Sequence, residues 1–398
     1  MEERKSSSIP FVGLHAHSVA GSIFDALGYP AEHMDFAYQN GMNALALTDH
    51  GNANGLAYQV LHAKKMKQEG KEFKPIFGVE AYFVPSIAKW KKQYDEAKGK
   101  TKSKETQTGT TIEDEAAKKS EKSILNRRRH LILLAQNQQG LKNIFKLIST
   151  SYQEGNYYRF PRVDYAMLRK FNEGVIAASA CLGGVYAGCL WENRESGEDA
   201  VLDAMRDVTQ NMQSIFGDRW HGELQWNNVP EQHVLNQYII QMSQEFGVPL
   251  ISTADSHYYS PTAWKDRELY RRLGWLGRRP EWMGQELPVD VEEIGYELYP
   301  KNGDQMWESY KKYSQELNQE YDDQIILSSI ERTHKIAFEM IEDFMPDNTV
   351  RLPEFVVPAD ATPAGALVKL CMEGARVLGV ARNPHYIKRL KSEVEIID

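Results

Sequence analysis

Over the first 260 residues, short apolar runs alternate with stretches of helical amphipathic spacing. The runs 11–15, 44–48, 75–83, 130–135, 174–179, 222–225 and 249–253 have the length and residue types of buried strands. Between them, 30–40, 55–69, 139–155, 199–216 and 231–246 repeat their apolar positions at helical intervals. Seven strand–helix units in succession predict a parallel α/β architecture, most simply a barrel. From residue 261 the strand pattern stops. Helical runs over 262–275 and 325–344 take over, and a proline-punctuated stretch, 352–358, follows them.

One segment breaks the pattern. Residues 86–129 hold 13 Lys and Arg against 7 Asp and Glu, a net +6 in a chain of formal charge −8. With few large apolar residues the segment cannot bury much, and it reads as a mobile surface insertion or a fraying helix. Its acids are interspersed, which favours a solvated linker over a basic arm lying along DNA. The overall acidity argues against a protein that coats nucleic acid with its whole surface.

The remaining composition is that of an ordinary folded protein, 42% hydrophobic and 26% charged in 398 residues. No stretch approaches the length of a membrane span, and the N-terminal residues contain no apolar signal region. Three cysteines are too few for a disulfide framework, so a reducing cytoplasm is the expected compartment.

Candidate chemistry gathers at the strand ends. The first strand ends in Leu14-His15-Ala16-His17-Ser18, where two histidines two apart project from one side, as two ligands of one metal do. Asp25 follows in the next loop. The second strand ends in Thr48-Asp49-His50-Gly51, and the third carries Gly78-Val79-Glu80. The fourth begins Arg129-His130-Leu131, and the fifth runs into Ser179-Ala180-Cys181-Leu182-Gly183-Gly184. The seventh ends in Thr253-Ala254-Asp255-Ser256-His257. A lone histidine beside a strand is usually a hydrogen-bonded structural residue, and a lone cysteine a small hydrophobe. The joint pattern changes that balance, because the rim of an α/β barrel is where active sites are built. The other six histidines, His33, His62, His221, His233, His334 and His385, fall in helical or loop context and read as structural. Nine ligand-type residues exceed what one ion needs. Two or three divalent ions sharing a carboxylate fit better, and the mixed donor set suits zinc or manganese ahead of magnesium.

In this order, HAHS, TDHGN, GVEAYF, RHLILLAQN, PRVD, ASACLGG and ADSH resemble the PHP (polymerase and histidinol phosphatase) domain of bacterial replicative DNA polymerase III alpha subunits. The likeness continues through 298–307, 352–358, 362–363, 370–374 and 386–390, stretches similar to the connector and the opening of that family's palm region. The resemblance implies a distorted seven-stranded (β/α) barrel over 1–280, a helical connector over 281–345 and the start of a polymerase palm over 346–398. It also implies three metals. His15, His17, Glu80 and Asp255 would hold the first, around which the hydrolytic water is activated. Glu80, His130 and Cys181 would hold the second, and Asp25, His50 and His257 the third. The spacing from His17 to Asp25 is one residue longer than the family pattern.

The implied activity is metal-dependent 3′–5′ exonuclease proofreading at a DNA primer end, with Arg162 of the PRVD motif as a candidate phosphate contact. A non-catalytic module that stabilises a polymerase is the competing reading, and a small-molecule phosphoesterase or pyrophosphatase a third. The palm's glycine- and serine-rich segment and catalytic aspartates do not occur in this sequence, so the chain is not expected to polymerise DNA by itself. The implied partners are the primer 3′ end, the remaining palm and fingers on a second polypeptide, the sliding clamp and other replisome subunits. Phe355, Val356, Leu367, Leu370, Val377, Leu378, Tyr386 and Leu390 supply apolar surface for such a polypeptide.

Overall fold

The computed structural model describes residues 4–104, 128–274, 297–347, 349–350 and 356–397. Expectations for the middle of the basic insertion, for 281–296 of the connector and for Phe355 fall outside the described residues. Two compact units are present, 1–346 and 347–398.

The first unit is built on β1 (Ala44–Leu47), β2 (Lys74–Phe83), β3 (Arg129–Ala135), β4 (Tyr157–Tyr158), β5 (Phe160–Val163), β6 (Val175–Ala178), β7 (Trp220–Gln225) and β8 (Leu250–Thr253). The sheet runs β4-β5-β2-β3-β6-β7-β8, with β1 on the lower half of β2. Residues 11–17 bring its two ends together. Ala46 and Thr48 donate backbone hydrogen bonds to Gly13 and Ala16 on one side, while His17 donates to Ser256 on the other. The result is a distorted seven-stranded barrel with the hairpin β4-β5 attached at its upper edge.

Alternation along the strands sorts the side chains. Phe77, Val79, Ala81, Leu131, Leu133, Ala177 and Leu224 face outward into the layer shared with the helices. Val12, Leu14, Ala44, Ala46, Ile76, Ile132, Leu134, Ile176 and Ile251 fill the lower barrel interior. Ile336, Ala337 and Ile341 plug the bottom of that interior. Lys74 Nζ donates to the carbonyls of Ala337 and Ile341, at 2.8 and 2.6 Å, which satisfies oxygens at a helix end. Followed upward, the same inward parity leads from Ile76 to Glu80, from Ile132 to His130 and from Ile251 to Asp255. The apolar floor thus gives way to a polar upper layer.

The expected all-parallel order needs one correction: β3 runs antiparallel to both β2 and β6. The long excursion after β2 returns to the rim it left, with Phe83 opposite Arg129, instead of crossing to the far end. His130 therefore sits at the start of its strand and still reaches the rim formed by the C-terminal ends of the others.

Around the barrel lie α1 (Pro30–Gln39), α2 (Leu56–Gln68), α3 (Ile87–Lys104), α4 (Gln138–Ser151), α5 (Tyr165–Lys170), α6 (Val185–Asn193), α7 (Glu198–Phe216), α8 (Pro230–Phe246), α9 (Trp264–Gly274), α10 (Gly303–Glu316) and α11 (Asp323–Lys335). The first part of the basic insertion is thus helix α3, anchored by buried Ile87 and Trp90. The second unit contains α12 (Pro363–Val377) and α13 (Pro384–Ile397), with Leu370, Val377, Leu378 and Tyr386 exposed. No helix among the described residues is long and apolar enough to cross a membrane.

Candidate metal centre

The inward parity of 11–17, β2, β3, β7 and β8 delivers acids and imidazoles to one place at the top of the barrel. His15 and His17 converge with their Nε2 atoms 3.0 Å apart. Two nitrogens on one tetrahedral zinc, each about 2.0–2.1 Å from it, lie at a similar separation. Asp255 Oδ1 is 3.0 Å from His15 Nε2 and 3.2 Å from His17 Nε2. Glu80 Oε1 lies 3.3 Å from His15 Nε2 and 3.0 Å from His130 Nδ1, and its Oε2 contacts His50 Nδ1. Cys181 Sγ stands 3.6 Å from His130 Nδ1. On the outer side, Asp25 Oδ2 is 3.0 Å from His50 Nε2 and 3.5 Å from His257 Nε2. All nine ligand-type residues therefore share one cluster. Three overlapping trios, His15-His17-Glu80, His50-Glu80-His130 and His17-His50-His257, are compact enough to hold ions. The last trio includes His17, which the family pattern assigns elsewhere.

The donor set fits divalent cations on its own terms. Both oxygens of Glu80, Oδ1 of Asp255 and Nδ1 of His50 are buried without a hydrogen-bond partner, although each faces polar atoms at close range. Leaving such groups unmet costs about 1–3 kcal/mol each or more when charged, and a cation between them removes that cost.

The electrostatics follow from burial and crowding. Burial alone raises the Asp255 carboxyl, but His15 and His257 outweigh it and hold the group well below its ordinary range. Burial alone likewise raises Glu80, and His130 and His50 bring it well below. Burial and then the charges of Asp255 and Glu80 push the Cys181 thiol well up, so metal binding there must displace a proton. His17 is lowered by burial and by its neighbours His50 and His257. An unprotonated His17 ring is what a ligand requires.

Surrounding groups fix the rings. His15 Nδ1 bonds Glu223 Oε1 at 2.7 Å, and the same oxygen accepts from Thr253 Oγ1 at 2.6 Å and Gln225 Nε2 at 3.0 Å. His257 Nδ1 donates to the Asp255 carbonyl at 2.7 Å, leaving Nε2 for a ligand bond. Asp49 accepts from Ser18 N, Ser18 Oγ and Ser22 Oγ, which shapes the loop that carries Asp25. Arg267 donates Nε to the Asp25 carbonyl and Nη2 to Oδ1 at 2.9 Å. Asp255 and Ala180 adopt the left-handed backbone region, at φ 47° and 61°, strain of the kind concentrated at functional sites.

Glu223 and Arg267 escape a sequence reading, since neither belongs to a recognisable ligand motif, whereas Asp49 falls inside the Thr48-Asp49-His50-Gly51 strand end without being singled out there. Inward parity on β7 is the one signal that could have raised Glu223. Arg162 lies apart from the cluster. It is fully buried, with its guanidinium 3.8 Å over the Trp90 ring and Nη1 donating to the Phe160 carbonyl. Among the remaining histidines, His33 bonds the Leu27 carbonyl, His62 pairs with Asp35, His221 bonds the Arg219 carbonyl and His233 bridges Tyr321 and Asn227.

The PHP domain family model matches residues 13–226. The DNA polymerase III subunit alpha of Aquifex aeolicus is 32% identical over 405 aligned residues, covering 98% of this chain and 30% of that protein. Its counterpart in Borreliella burgdorferi is 30% identical over 370, covering 92% and 27%. The chain thus spans under a third of the length of these relatives. A Bifidobacterium adolescentis structure described as a metal-dependent phosphoesterase aligns at a TM-score of 0.36 and 13% identity, over 64% of this chain and 89% of that one, too slight a likeness to argue from.

Proposed function

The chain belongs to the PHP domain family, and from that premise we propose that its metal centre hydrolyses phosphodiester bonds as a 3′–5′ exonuclease acting on DNA ends. Glu80 carries this reading. Its two buried oxygens, neither in a hydrogen bond, stand among His15, His17, His50 and His130, as a carboxylate shared by two cations does. Divalent ions held there supply a water of lowered pKa and neutralise charge that builds on phosphoryl oxygens during in-line displacement.

The protein's own residues divide the work by depth. His15, His17 and Glu80 form a floor closed to solvent. Glu223 holds His15 in one tautomer, with Nε2 aimed into the site. Asp25, His50 and His130 line the open side, with side chains 37%, 13% and 20% exposed, and it is there that a phosphodiester enters. Arg271 Nε, 3.5 Å from Asp25 Oδ1, adds positive charge on that side. The five imidazoles, three carboxylates and one thiol suit zinc or manganese. The relatives' name makes DNA replication the proposed setting, with DNA and the rest of a polymerase as partners.

The test uses the full chain, loaded with zinc or manganese, and a 5′-labelled single-stranded DNA. More than one ion per chain is expected by elemental analysis, together with stepwise loss of 3′ nucleotides that a chelator abolishes. Glu80→Ala should abolish this release, since it removes a shared ligand and leaves the ions repelling one another. Stoichiometry at or below one, or release that survives chelator or the substitution, would overturn the reading. A metal-loaded chain that cleaves inorganic pyrophosphate or sugar phosphates and leaves DNA untouched would redirect it to small phosphoesters.

A further inference from the structure

One wall of the metal centre is aromatic, and its rings continue outward to solvent. Tyr82, two residues beyond Glu80, stacks on His50 with centroids 6.0 Å apart and planes at 15°, and lies 5.5 Å from His130. Phe160 meets Tyr82 edge-on at 5.6 Å. Arg128 lays its guanidinium 3.9 Å over Phe160 and 5.3 Å from the centre of Tyr82. Farther out, Tyr152 and Tyr157 stack nearly parallel, 5.4 Å apart at 16°, and are 47% and 45% exposed. Tyr157 is continuous with the inner rings. It registers on Pro161, and Pro161 and Tyr82 both crowd the space beside Gly51. Arg159, at the tip of the β4-β5 hairpin, holds a left-handed backbone at φ 66° and places its guanidinium 5.7 Å from Phe160.

Aromatic rings alternating with guanidinium groups are a poor choice for open surface and a good one for unpaired nucleotides. Every base offers a π-face to a tyrosine, while arginine stacks on rings and attracts the phosphates between bases. Resting on the exonuclease reading above, we infer that Tyr152 and Tyr157, with Phe160 and Arg128 behind them, form a subsite for the unpaired bases just upstream of the scissile phosphodiester. The bases stack on the outer tyrosines, and the sugar-phosphate chain passes Arg128 on its way to His50 and His130. The preferred substrate is then a single-stranded or frayed 3′ end, in which those bases are free to stack.

The test pairs substitutions in the protein with deletion of bases in the substrate. Two DNA oligonucleotides are compared, one intact and one with abasic residues at the second and third positions from the 3′ end. With native protein the intact strand should have the lower KM, by about tenfold, the scale of one or two base–aromatic stacks. In the double variant Tyr152→Leu/Tyr157→Leu this preference should shrink towards one, and the change should fall in KM more than in kcat. Tyr157→Phe, which keeps the ring, should retain it. An undiminished preference in the double variant would overturn the subsite.

A second measurement separates this inference from the exonuclease reading. Anisotropy of the same labelled strands, with calcium as the only divalent ion, reads binding without turnover. If native protein cleaves no phosphodiester, the exonuclease reading fails, and the subsite is still decided by whether the double variant loses binding to the intact strand alone. Equal affinity of native and variant protein for both strands would end the proposal, and would leave the aromatic wall as a surface for another protein.

Discussion

Glu223 shows what a single residue adds to a site that its sequence context does not announce. One oxygen accepts from His15 Nδ1, from Thr253 Oγ1 and from Gln225 Nε2, so the His15 ring is fixed with Nε2 turned inward. Such partners of metal ligands typically change affinity 10–100-fold when removed. Glu223→Gln should weaken metal binding by about tenfold and Glu223→Ala by more, measured by competition against a chromogenic chelator. Cys181→Ala is expected to behave differently. Sγ adjoins His130 alone among the imidazoles in hydrogen-bond range, so its loss should empty one position and leave the rest occupied by elemental analysis. The five ligand-type histidines, Cys181 and Asp255 are legible in the sequence because such residues are conspicuous at strand ends, while Asp25 follows in a loop and Glu80 lies within β2. Glu223, inside the run Gly222-Glu223-Leu224-Gln225, looks like any half-exposed strand glutamate, and only the barrel's closure turns it inward. Arg162 shows the converse. Its motif suggests a phosphate contact, whereas its environment is the face of Trp90, which no local pattern announces.

At the scale of elements, strands that are continuously apolar are the ones a sequence reveals. The runs around 44–48, 75–83 and 130–135 correspond to β1, β2 and β3 because both of their faces are covered. The short β4 and β5, and helix α6 with its Gly-Gly entry, have too little periodicity to stand out. Strand direction is less legible still. The reversal of β3 depends on where a 45-residue excursion between Phe83 and Arg129 returns, not on the strand's own residues. β7 carries a consequence that can be measured. His221, buried in that strand, is lowered to about 4, chiefly by burial. An unfolded histidine titrates near 6.5, so above that pH neither state is protonated and the fold keeps its full stability. As pH falls from about 6.5 to 4, the unfolded chain takes up a proton that the fold refuses, and stability declines by about 3 kcal/mol for this one group. Chemical denaturation of metal-free protein at several pH values should show that slope. In His221→Gln it should be shallower by about one proton between pH 6 and 5, and an unchanged slope would mean that His221 is solvated in the folded state.

Across the whole molecule, the ligand-type residues range from His15 to His257 and come from 11–17, the loop before α1, the turn after β1, β2, β3, the turn after β6 and the turn after β8. Ions held by such a set cross-link the barrel's rim around its circumference, whereas the apolar floor and the plug at 336–341 are already complete without them. Binding to the folded state alone stabilises it by RT ln(1 + [L]/Kd), about 2.7 kcal/mol at a hundredfold excess over Kd. Local opening that breaks ligand bonds has to pay the same amount, whereas opening elsewhere in the barrel does not. The second unit holds none of the nine residues: α12 and α13 lie within 347–398, beyond the last of them. Hydrogen exchange of the full chain, with and without saturating zinc, should therefore show a gradient. Amides of 13–18, 47–51, 78–83, 129–132, 178–184 and 253–257 should slow by about a hundredfold, those of the lower strands less, and those of 363–377 and 384–397 not at all. Slowing in α12 or α13 would reveal energetic coupling between the two units. Equal slowing throughout 1–346 would mean that the barrel opens as one cooperative body, with its metal-bearing rim and apolar floor inseparable.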